Sequence, residues 1–158
     1  MITSIHVYDA NLLNSIELDE FPYPLNVSFK WDYPISGDTI QRPFSAGRHD
    51  TRQSVQFMTI DCEGEIVETT TTAYWTSRKA LVECVLPTMV QPAGLYRHSQ
   101  IRLVIDGDAT VYTADVQLTS YSIPLTTDGA PTVSPFMFSW TCNLGYWTNS
   151  STGDPVRL

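Results

Sequence analysis

The sequence predicts an all-β fold, an antiparallel sandwich or barrel of seven or more short strands, and three observations predict it. Apolar and polar residues alternate with a period of two in several separate stretches, the mark of strands with one face on a core and one toward water. An Asp-Gly step, Asp106-Gly107, stands between two such stretches, where glycine supplies the positive φ that a tight hairpin turn demands. Ten prolines fall in breaks between stretches. No helical pattern of about 10 to 15 residues separates the strands, as βαβ units would require.

Taken in order, residues 9–20 are the one helix-like stretch, with Asp9 or Asn11 as a cap and Leu12, Leu13 and Ile16 as a short apolar stripe. Val27, Phe29, Trp31 and Tyr33 alternate with Ser28, Lys30 and Asp32 and predict a strand. Residues 55–60 predict a second strand. Glu63-Gly64 is read as a turn, with Ile66, Val67, Glu68 and the run Thr69 to Thr72 returning as the other arm of a hairpin. Residues 81–86 are apolar or short except for Glu83 and read as a strand, which Pro87 and Pro92-Ala93-Gly94 end, so 87–94 is expected to be a connecting loop. The clearest hairpin follows: Ile101, Leu103 and Ile105 alternate before Asp106-Gly107-Asp108, and Tyr112, Ala114, Val116 and Leu118 alternate after it. Asp128-Gly129-Ala130-Pro131 marks a further turn, and Phe136, Phe138, Trp140 and Cys142 form a last strand. Residues 143–158, mostly polar with Gly145, Gly153 and Pro155, are expected to form an extended arm or a frayed tail. The division is thus one sandwich domain over 1–142, with an N-terminal segment 1–25, and a C-terminal arm over 143–158.

A chain of 158 residues makes one ordinary domain. Its net charge of −8 and isoelectric point near 4.6 provide no basic surface for a phosphate backbone, so nucleic acid and anionic membrane are not expected partners. No stretch approaches the roughly 20 apolar residues of a spanning helix, and Met1 to His6 lack the basic start of a secretion signal, so a soluble, unprocessed product is expected. Charged residues make up only 16%, against about 25% in ordinary domains. In their place, 19 Thr and 14 Ser supply hydroxyls. Such a surface suits a component that packs against neighbours, although threonine is also simply a good strand former.

Little in the chain points to catalysis. Cys62, Cys84 and Cys142 are odd in number and widely spaced, which supports neither a disulfide framework nor a zinc site, and they read as buried small hydrophobes. His6, His49 and His98 are scattered and belong to no metal or triad signature. The carboxylates Asp61, Glu63, Glu65 and Glu68, and the pair Asp106 and Asp108, lack calcium-loop spacing and read as turn or solvent-facing residues. Glu83 has no second acid to pair with as a glycosidase would need. The glycines form no phosphate loop. No metal or cofactor is expected, and an enzyme is not. Among the aromatics, Trp31 and Trp140 lie in core-type alternation, whereas Trp75 and Trp147 read as surface anchors, and Leu144, Tyr146 and Trp147 as the apolar contacts of the arm. The sequons Asn26-Val27-Ser28 and Asn149-Ser150-Ser151 would matter only after secretion.

Residues 50–121 carry an Asp that opens a strand with an Asp-x-x-Gly turn behind it (50–64), an apolar strand ending in Leu86-Pro87, Gly94-Leu95-Tyr96, and the hairpin Ile101 to Gly107 leading to Tyr112-Thr113-Ala114-Asp115-Val116. In order and spacing this resembles the N-terminal immunoglobulin-like domain of phage baseplate upper proteins (BppU-type), also found in head-fibre proteins of tailed phages. The resemblance covers about half the chain. It implies an immunoglobulin-like sandwich of about seven to nine short strands and a non-enzymatic structural protein of a bacteriophage virion, made in the host cytoplasm: a capsid decoration, a head-fibre anchor or a baseplate or tail accessory. The implied partners are other virion proteins and copies of the chain itself, a trimer being one such form. About fifty residues precede the matching part and a short arm follows it, unlike the family's usual placement ahead of fibre regions. The alternative from another class is a carbohydrate-binding sandwich that uses Trp75 or Tyr74 as a stacking platform.

Overall fold

The structure, a computed structural model, describes residues 2–25, 28–36, 39–41, 48–50, 54–55, 57–86, 99–105, 110–124 and 130–158. The described residues are mostly antiparallel β-sheet, with one helix among them. In chain order the strands are β1 (Ile2–Tyr8), β2 (Ser15–Leu18), β3 (Ser28–Asp32), β4 (Ile35–Ser36), β5 (Thr39–Gln41), β6 (Arg48–Asp50), β7 (Ser54–Val55) and β8 (Met58–Val67). Helix α1 (Thr71–Val85) follows, then β9 (Ser99–Ile105), β10 (Val111–Ser122), β11 (Val133–Cys142), β12 (Trp147–Asn149) and β13 (Pro155–Val156). Nine strands make one open sheet in the order β2-β1-β9-β10-β11-β8-β3, with β12 on β10 and β13 on β12. Two small ladders, β4 with β7 and β5 with β6, stand apart. No helix among the described residues is long and apolar enough to cross a membrane.

Strand β10 is the pivot. Its first half, Val111 to Val116, pairs with β9, and its second half, Gln117 to Ser122, pairs with β11, with a register shift between Leu118 and Ser120. A strand shared in this way lets the sheet fold over on itself, because a bulge bends and twists the backbone locally. The two halves then meet: the Trp31 ring on the edge strand β3 packs edge-on against Trp147 on β12 at 5.6 Å, and its Nε1 donates to the Leu158 carbonyl at 3.2 Å. The result is sandwich-like, with the core between the two halves.

Period two governs which side chains enter that core. Met58, Ile60, Cys62, Gly64 and Ile66 of β8 point inward, as do Phe136, Phe138, Trp140 and Cys142 of β11, Ile101 and Leu103 of β9, and Tyr112, Ala114 and Val116 of β10. All three cysteines are buried and free, as small hydrophobes. The expected hairpin of residues 101–118 is present as β9 and β10, while its Asp106-Gly107-Asp108 turn lies outside the described residues, as do 87–94 and Asp128-Gly129.

Four expectations are corrected. Residues 9–20 form no helix: the Asp9 carboxylate accepts from the Leu13 amide at 3.0 Å and the Asn14 side-chain amide at 2.9 Å, closing a loop that leads into β2. Such local bonds offer the backbone a partner other than a helical carbonyl. Glu63-Gly64 makes no turn, since β8 runs straight through it, paired along its length with β11. Gly64 is there for space, because a Cβ would lie 2.6 Å from both the Phe136 ring and the Pro24 carbonyl oxygen. Residues 71–85 are helix, where the run up to Thr72 and residues 81–86 were expected to be strands, and the helix is started by the Thr70 hydroxyl accepting the Ala73 amide. Tyr74, Leu81, Cys84 and Val85 fall on its buried side, at helical spacing. Glu83 is on the exposed side, 3.6 Å from Lys79 one turn back. Finally, residues 143–158 are no free arm: β12 and β13 belong to the main sheet and Trp147 is completely buried.

Candidate functional site

The outward face of the half-sheet β2-β1-β9-β10-β12 carries a charged and aromatic row that strand register brings together. Glu17 stands opposite His6, His6 opposite Arg102, Arg102 opposite Thr113 and Thr113 opposite Thr148. One step along, Ser15, Tyr8, Gln100 and Asp115 form the next row. These positions alternate with the buried Val7, Ile101 and Ala114, so the pleat turns them outward.

Their contacts form a chain. His6 Nε2 lies 3.6 Å from a Glu17 oxygen, and its ring is 6.3 Å from that of Tyr8. The Arg102 guanidinium sits over the Tyr8 ring, 4.0 Å from its centroid, a cation–π contact that flattens the long side chain onto the sheet. Arg102 Nε donates to Gln100 Oε1 at 2.7 Å, and Gln100 Nε2 donates to Asp115 Oδ1 at 3.0 Å. The last acid borders an open hollow of about 240 Å³ with Thr141, Asn143 and Leu144. This is where β10 leaves β9 for β11, so the two half-sheets diverge and leave room between strand and turn.

The opposite half of the molecule presents a different surface. On β11 the outward side chains Val133 and Met137 are exposed at 45% and 48%, with Pro135 between them. Pro135, Met137, Ser122, Pro124 and Glu63 surround an open hollow of about 280 Å³ whose floor is Gly64 and Phe136. Beside it Asp61 accepts the Ser139 hydroxyl at 2.6 Å and faces Lys30 in register on β3.

The four anchors expected from the sequence part company. Trp75 is on α1, 45% exposed, its ring edge-on to Tyr74 at 5.3 Å. Leu144 is 55% exposed and borders the smaller hollow. Tyr146 is half-buried. Trp147 is corrected from surface anchor to core residue, because the turn of residues 143–146 carries the chain back onto β10, where the Trp147 indole meets Trp31. Tyr74 is likewise fully buried and cannot serve as a stacking platform.

The thiols are chemically quiet. Burial pushes Cys62 and Cys84 up from 9.0 to about 12, with Glu63 and Asp9 respectively adding to the rise. Cys84 Sγ also points at the Val7 carbonyl at 3.0 Å. A thiol held in its protonated form is a poor nucleophile. The His6–Arg102–Asp115 row escaped the sequence because its members come from three strands, and only their cross-strand register, which no local pattern encodes, puts them side by side. Compared with known proteins, the chain matches no family model and no curated protein.

Proposed function

We propose that this protein is a non-enzymatic structural protein of a bacteriophage particle, a capsid decoration, head-fibre anchor or baseplate or tail accessory, working by packing against other particle proteins and copies of itself. The observation that carries the reading is the exposed row Val133, Pro135 and Met137 on β11, the last two bordering an open hollow, in a chain with only 16% charged residues. An exposed apolar row on a sheet face, flanked by Ser122, Pro124 and the carboxylates of Glu63 and Glu65, suits the core and polar rim of a protein interface. Of the features that carry the phage-domain resemblance, the paired strands β9 and β10 support the choice of assembly, while the expected Asp-x-x-Gly turn lies within β8 and the expected strand up to Leu86 is helix α1.

The reading is tested in two measurements. Light scattering on the purified chain over a concentration series is expected to find an oligomer of fixed size. Met137→Glu, which places a charge in the row without touching the core, is expected to weaken that association by about tenfold or more. Mass spectrometry of purified phage particles whose genome encodes the chain is expected to detect it among their proteins. A chain that stays monomeric and is absent from the particles overturns the proposal.

A further inference from the structure

Strand β3 offers a second surface, separate from the row on β11. It ends the main sheet and hydrogen-bonds β8 on one side, with no strand on its other side among the described residues. Such an edge is a row of N–H and C=O groups ready to pair with another strand. We propose that β3 pairs antiparallel with β3 of a second copy of this chain, joining two sheets into one across a two-fold axis at Trp31.

Strand parity fixes which groups the edge presents. The Glu65 and Val67 amides of β8 donate to the Pro24 and Pro22 carbonyls at 3.0 and 2.9 Å, so the odd-numbered residues of β8 turn their backbone groups away from β11. Pro135, which has no N–H to donate, stands opposite Glu65 on β11 and agrees with that parity. In the ladder of β3 with β8 the hydrogen-bonded pairs are therefore Lys30 with Asp61 and Asp32 with Thr59. Phe29 and Trp31 direct their N–H and C=O groups to the open edge.

Charge then selects the register. Lys30 and Asp32 are exposed, and neither is in an ion pair among the described residues. A two-fold axis at Lys30 would set the two lysines against each other, which destabilises a sheet. An axis at Trp31 sets Lys30 of each copy against Asp32 of the other. That pair falls at the non-hydrogen-bonded position, where Cα atoms approach to about 4.5 Å and side chains are closest. Trp31 exchanges both its backbone bonds with Trp31 of the second copy. Phe29, Trp31 and Tyr33 are each only half-buried in the single chain, the Phe29 ring lying 6.1 Å from that of Trp31. The same register brings Phe29 beside Tyr33 of the second copy, a cross-strand aromatic pair. An edge that pairs with itself closes at two chains, so it yields a dimer and not a fibre.

The test is made in full-length Met137→Glu, where the row on β11 is charged, so that failure of this edge and failure of the assembly reading are told apart. Sedimentation equilibrium over a concentration series is expected to find a dimer. Asp32→Lys, which leaves Lys30 facing a lysine, is expected to weaken it by about tenfold or more. Lys30→Glu is expected to do the same, and an equimolar mixture of these two variants to restore a dimer of near-parental affinity, because each chain then meets its opposite charge. Hydrogen exchange at the Phe29 and Trp31 amides is expected to slow as the dimer forms and to stay fast in Asp32→Lys, whereas exchange at Lys30, bonded to β8, is unchanged. Should Lys30→Glu fail to fold beside Asp61, Asp32→Lys and the exchange measurement decide alone. A chain monomeric throughout the series overturns the proposal, as does a dimer indifferent to Asp32→Lys or a mixture no more dimeric than its components. Association present in the unsubstituted chain and lost in Met137→Glu leaves the row on β11 as the contact and overturns this edge.

Discussion

Cys62 and Cys84 each keep their proton to about pH 12 in the folded chain, whereas the same thiols in an unfolded chain ionise near 9.0. Ionisation in that interval therefore favours the unfolded state alone. Their contribution to stability is complete below pH 9 and is lost between pH 9 and 12, at up to about 1.4 kcal/mol per pH unit for each thiol. Tyr23 and Tyr33, raised from 10.0 chiefly by burial, act in the same direction at slightly higher pH. The expected outcome is a melting temperature that is level through neutral pH and falls steeply above about pH 9, with a shallower fall in Cys62→Ala measured the same way. A level profile up to about pH 11 would contradict the burial of these groups. Such single residues were readable from composition alone: an odd, scattered set of cysteines reads as core, and all three are core.

At the scale of elements, α1 depends on its first turn. The Thr70 hydroxyl accepts the Ala73 amide at 3.2 Å, and the helix has no acidic residue in its first turn to add to that cap. Thr70→Ala is expected to cost about 1 kcal/mol, read as a shift of the urea midpoint at unchanged slope. This helix was the element hardest to read, and the reason is physical. Thr69, Thr70, Thr71 and Thr72 are β-branched and carry a strand preference, while the buried positions of the helix, from Tyr74 to Val85, are too sparse to show a stripe. Tertiary packing of Tyr74 and Leu81 decides the outcome instead. Strand β9, the first half of β10 and β11 were legible because buried and outward positions alternate along them. The loop of residues 9–14 was misread since an aspartate before a short apolar group marks a helix start and a side-chain-closed turn equally well.

For the molecule as a whole, the segment beyond β11 is part of the structure rather than an appendage to it. Trp147 is fully buried and packs edge-on against Trp31 of the edge strand β3. Trp147→Ala is expected to destabilise the entire fold by about 3 to 5 kcal/mol, seen as one cooperative shift in chemical unfolding. A surface anchor would instead leave stability unchanged and lose only a partner. Burial of this indole could not be read from its polar, glycine-containing neighbourhood, because what covers it, Trp31, lies more than a hundred residues earlier. That separation has a consequence for how the protein is made. Trp31 and Tyr33 hydrogen-bond to Leu158 across 127 and 125 positions, and β1 waits for β9. During translation β1 meets β2 at once, but its second partner, β9, is made some ninety residues later. Until Leu158 has been made these aromatic side chains lack that partner, so the yield of folded protein is expected to depend on expression rate and temperature.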